Sequence, residues 1–135
     1  MLRLPLFVFG TLRRDECNHH YYLAGAFDRM RPAKLLGFHR VEPLMIVREQ
    51  NSIVEGELYD LTLSTYARTL QGCDELEELP FGKLIGNEYR RIPVRVQTDD
   101  ENVIAWAYVR PDVEPDADLL SLIDAECESQ NDSDS

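Results

Sequence analysis

Lysine is nearly missing from this 135-residue chain, which has two lysines against twelve arginines, and cysteine is scarce, at positions 17, 73 and 127. An odd number of widely spaced thiols excludes a disulfide framework and a zinc site of the CxxC kind, so reduced thiols are expected. Long apolar runs are lacking too. No stretch has the length of a membrane span, and the N-terminus shows neither the apolar block nor the cleavage site of a secretory signal, so the chain is read as cytoplasmic. The glycine patterns of the common phosphate loops, GxxxxGK and GxGxxG, do not occur. Basic charge is absent from one end: residues 111–135 carry nine acids and no Lys or Arg, whereas residues 1–110 carry sixteen acids against fourteen bases. A near-neutral body with a negative tail offers no basic stripe, so nucleic acid is not an expected partner.

What remains is a globular composition, 44% hydrophobic and 29% charged, of a size that fits one domain with a real core. Residues 4–9 read as a buried strand stopped by Gly10. "NHHYYLAGA", from Asn18 to a close at Gly25, reads as a short helix or a loop turn. "AKLLGFHRV" and "PLMIV" read as strands, "REQNS" as a polar turn after them, and "IVEGELYDL" as a half-buried strand whose Gly56 marks a close approach of backbone or ligand. Residues 63–77 form the one helix of good length, capped by Thr62 or Ser64. Two alternating strands, "EYRRIPVRVQT" and "NVIAWAYVR", end the body around the turn "DDEN", and Pro93 marks an edge or a bulge. From Pro111 the acidic tail begins as a linker, forms one short amphipathic helix around Leu119 to Ile123, and frays. Many strands, few helices and no βαβ alternation predict a small mixed fold, a curled sheet or barrel.

Candidate chemistry starts on the helix. Leu63, Tyr66, Leu70, Cys73 and Glu77 share one face, and the first four are core residues by type. A carboxylate at the inner end of such a stripe loses hydration and gains basicity, which suits a general base. A helix fraying after Gly72 would instead leave Glu77 on the surface, and the spacing leaves both readings open. Asp74, Glu75 and Glu78 read as a solvated acidic end. Gly10-Thr11-Leu12, after the first strand, can turn its N–H groups toward an anion or can be a plain turn. Cys17-Asn18-His19-His20 has metal-ligand types but no second cluster, and reads as a solvated loop. Tyr89, Arg90 and Arg91 line a polar pocket or simply alternate along a strand. Trp106 and Tyr108 share a face and read as core.

Four segments in order, "LFVFGTLRR", "VEGELYDL", "CDELEELPFGKLIGNEYRRIPVRVQ" and "AWAYV", resemble the gamma-glutamylcyclotransferase-like (AIG2-like) family over residues 4–110. The resemblance implies an α+β fold, a small mixed-strand β-barrel flanked by a few helices, as a domain over residues 1–115 followed by an acidic tail, 116–135. It implies a cavity floored by the glycine loop, with Glu77 as the catalytic acid/base and Phe9, Gly10, Thr11, Leu12 and Tyr89 as substrate contacts. The expected reaction is release of 5-oxoproline from a small γ-glutamyl compound, with neither metal nor organic cofactor. Departures are Phe9 where Tyr is usual, Cys73 and Leu76 for Leu and Phe, Glu78 for a frequent Gly, and a longer loop before Tyr89. They keep a second expectation open: a binding module on the same fold, without turnover.

Overall fold

Alternation of side chains builds the sheet. The computed structural model describes residues 3–9, 22–42 and 45–123, and contains five strands: β1 Leu6–Val8, β2 Phe27–Glu42, β3 Met45–Leu61, β4 Arg90–Gln97 and β5 Asn102–Val109. They close a barrel in the order β1-β3-β2-β4-β5, with β1 and β5 parallel and the other described pairs antiparallel. Every second side chain, including Phe7, Val54, Leu58, Ile92, Val94, Val96, Ala105 and Ala107, enters one apolar interior cluster. Their neighbours Leu6, Val8, Tyr59, Leu61, Trp106 and Tyr108 form a second cluster on the outer face. Helix α1, Tyr66–Leu76, covers that face with Tyr66, Leu70 and Cys73. The expected α+β barrel with few helices is the fold observed.

Gly56 fulfils its expectation. A Cβ there would stand 2.3 Å from the Val8 carbonyl oxygen and 2.7 Å from the Phe7 ring, so β1 packs directly onto bare backbone. Pro93 also finds its place. Among the described residues β4 pairs with β2 at Lys34–Gln97 and Leu35–Val96, beyond Pro93, where no N–H of the proline is called for.

Three expectations need correction. "REQNS" is not a connection between strands but an irregularity inside β3: Leu36 pairs with Ile53 and Phe38 with Arg48, leaving Gly37 opposite residues 49–52. The turn chemistry is real, since Asn51 and Gly37 have φ of 68° and 81°, but the long hairpin absorbs it as a bulge. Leu63, expected on the buried stripe, is 62% exposed, because the chain enters α1 through a single 3-10 turn, Leu63–Thr65, whose different period rotates it outward. The segment after Pro111 is not a free linker at its start. Val113 joins the barrel interior and Leu119, ending the 3-10 turn Ala117–Leu119, is buried. Arg48 and Arg95 hold Asp116, and Arg95 also pairs with Asp118.

Candidate active site

The end of α1 is where chemistry collects. Pro80 cannot continue a helix, and the chain turns before it: Glu78 takes a left-handed φ of 62°, its N–H donating to the Glu75 carbonyl (3.0 Å) while the Leu79 N–H donates to the Asp74 carbonyl (2.9 Å). Leu79 is buried in the outer cluster, which pins the turn. Glu77 is the cap residue, its N–H still bonded to the Cys73 carbonyl at 3.1 Å, so the helix does not fray after Gly72.

Glu77 is partly buried there. Burial, followed by the negative charges of Asp74 and Glu78, pushes its pKa up to about 7. Tyr89 lies in the same neighbourhood, its phenol pushed up to about 12 by burial and then by the charges of Glu77, Glu88 and Glu42. Phe9 is buried at the end of β1, with the Arg40 guanidinium 5.6 Å from its ring centre. Gly10, Thr11 and Leu12 lie outside the described residues, as do Cys17 to His20. A hollow of about 550 Å³ over β2, β3 and the end of β4, beside Lys34, Glu55 and Thr98, takes in neither Phe9, Glu77 nor Tyr89.

The sequence pattern missed what lies beneath Glu77. Asp74, expected on a solvated end, faces the sheet. Arg91 Nε and Nη2 donate to its two oxygens at 2.8 and 3.0 Å, and the Tyr108 hydroxyl donates at 2.6 Å. Arg91 is 1% exposed and its guanidinium lies 4.5 Å from the Trp106 ring centre, so it is stacked as well as paired. Below it the Trp106 Nε1–H donates to the Tyr66 hydroxyl (3.2 Å), which donates to the Leu4 carbonyl (2.7 Å). Burial, with Asp74 next, raises the Tyr108 pKa well above its ordinary value. The signal was available: Arg91 alternates with Ile92, and so sits on the face that Trp106 and Tyr108 share beneath the helix.

Cys73 is fully buried, and burial followed by Asp74 and Glu77 pushes its thiol up to about 12, which makes it a packing residue and not a nucleophile. Among the described residues no group of His, Cys, Asp and Glu converges as a metal site, and no helix is long and apolar enough to cross a membrane.

The family model described as gamma-glutamyl cyclotransferase, AIG2-like, matches residues 6–127. A protein of Niallia circulans named gamma-L-glutamyl-butirosin B gamma-glutamyl cyclotransferase is 32% identical over 108 residues; the match spans 77% of this chain and 65% of that protein. The solved structure of YkqA from Bacillus subtilis is similar with a TM-score of 0.62 at 26% identity, over 81% of this chain and 36% of that one. A structure titled gamma-glutamyl cyclotransferase shares the fold at a TM-score of 0.56 and 16% identity, over 94% of this chain and 79% of the other. With nearly the whole body matched in sequence and the same barrel beneath it, this chain belongs to the gamma-glutamyl cyclotransferase, AIG2-like family.

Proposed function

We propose that the protein is a cyclotransferase that converts a γ-glutamyl amine or a related γ-glutamyl compound to 5-oxoproline. The α-amine nitrogen of the substrate attacks its own γ-carbonyl carbon, forming the C–N bond of a five-membered lactam. The bond from that carbon to the leaving nitrogen then breaks. Both reacting groups belong to one molecule, so the protein's task is to hold the curled conformer and to carry a proton. Glu77 takes the proton that the α-amine gives up and returns it to the departing nitrogen. Main-chain N–H groups of Gly10, Thr11 and Leu12 would hold the substrate's carboxylate or polarise its carbonyl, and Phe9 and Tyr89 would be further substrate contacts. Atoms and charge balance without a cofactor.

One observation carries this reading: Glu77, the residue on which the family's acid/base falls, is partly buried with its pKa raised to about 7, where a carboxylate accepts and releases a proton near neutrality. The test is incubation with a panel of γ-glutamyl amines and peptides, followed by detection of 5-oxoproline. Wild type is expected to release it from at least one compound, and Glu77→Gln to release none while still binding that compound.

The second reading, a binding module without turnover, is favoured by Phe9. It puts a buried ring under Arg40 where a phenol would offer a hydrogen bond. Binding without product across the panel would select that reading.

A further inference from the structure

The geometry points to Asp74 as a positioning residue for Glu77: gripped at both oxygens by Arg91 and Tyr108, it ties the last turn of α1 to β4 and β5 and so fixes where the Glu77 carboxyl stands. This rests on Glu77 being the acid/base of the preceding section. The two carboxylates are three residues apart, on one side of a helix that ends at Leu76. The Asp74 side chain is held by the sheet while its carbonyl accepts the Leu79 N–H, so one residue secures both the helix and the turn that leaves it. Glu77 lies between those two attachments.

The anchor is stiff for a physical reason. A bidentate guanidinium fixes an angle as well as a distance, and this one is itself sandwiched between Asp74 and the Trp106 ring. Two of the partners, Arg91 and Tyr108, are buried on adjacent strands that pair directly with each other, so the sheet sets their spacing. Releasing Asp74 would let the last turn lift toward water, and water would restore an ordinary acidity to Glu77. Among the described residues, the charged and titratable groups coupled to Glu77 are Asp74 and Glu78 from the helix end, Tyr89 from the approach to β4, and Cys73 on the helix. Removing the Asp74 charge lowers the Glu77 pKa, because it takes a like charge from beside it.

The experiment reads Glu77 directly, without substrate. Carboxyl carbon NMR of glutamate-labelled protein, with the Glu77 signal identified by its loss in Glu77→Gln, is followed through pH for wild type, Asp74→Asn and Tyr108→Phe. Asp74→Asn is expected to move the titration down by about one unit or more. Tyr108→Phe keeps every charge, and is expected to speed hydrogen exchange of the Glu77, Glu78 and Leu79 amides by about tenfold while amides of β3 hold their rates. Tyr66→Phe, which loosens the opposite end of the same helix, is expected to change neither readout. A Glu77 titration unmoved in Asp74→Asn, amides at 77–79 unaffected in Tyr108→Phe, or equal effects from Tyr66→Phe would each overturn the inference. Should Asp74→Asn not fold, the Tyr108→Phe exchange decides alone. Failure of the cyclotransferase reading shows elsewhere, as absence of 5-oxoproline from wild type, and leaves these readouts intact.

Discussion

The barrel interior and the layer under α1 are built by opposite rules. Inside, Phe7, Leu58, Ile92, Val94 and their neighbours form an apolar cluster, with β1 laid on the bare backbone of Gly56. Under the helix the apolar cluster is threaded by Arg91, Asp74, Tyr108, Trp106 and Tyr66, and Arg91 is the one charged side chain counted as buried among the described residues. An apolar interior is stable wherever it closes, but it cannot orient an acid. A buried polar network costs desolvation and returns geometry. The difference teaches where to look for function. Of two carboxylates in the same helix turn, one is held by a guanidinium and a hydroxyl, whereas the other meets burial and two like charges.

The contrast can be broken at either side. Arg91→Met strikes the outer layer hardest, leaving the Asp74 carboxylate largely covered without its cation, and is expected to cost about 3–5 kcal/mol in urea unfolding. Gly56→Ala attacks the interior. The new methyl meets the Val8 carbonyl, a backbone atom that cannot rotate away, so a loss of about 2–3 kcal/mol is expected from the same measurement. If Gly56→Ala proved neutral, β1 would not be packed as described. Glu78→Gly sharpens the account with the smallest effect. It relieves the left-handed φ of 62° at an exposed position and is expected to stabilise by about 0.5–1 kcal/mol, read as a raised midpoint.

Much of this was legible in the sequence, and the failures share a cause. Period-two alternation located β4 and β5, because one face of each is interior and the other is covered by a helix or by solvent. The spacing of Tyr66, Leu70 and Cys73 located α1 and led to Glu77 at its end. Asp74 was misread because periodicity records which face a residue takes and not what waits there; its partners lie 17 and 34 positions further along the chain. "REQNS" was misread because a polar, turn-forming run ends a strand in a short hairpin but only kinks one whose pairing resumes beyond it. The loop Gly10 to Leu12 lies outside the described residues, so its part in the site stands as proposed from the family resemblance.

The most direct test of Glu77 as the proton carrier is the pH dependence of kcat/KM for 5-oxoproline release. Because the ionised carboxylate is the acting form, the rate is expected to climb by about tenfold per unit at acidic pH. It should level above about 7, where burial has moved the group, with no product from Glu77→Gln at any pH. A profile flat from about pH 5 to 8, or wild-type turnover in Glu77→Gln, would contradict the account.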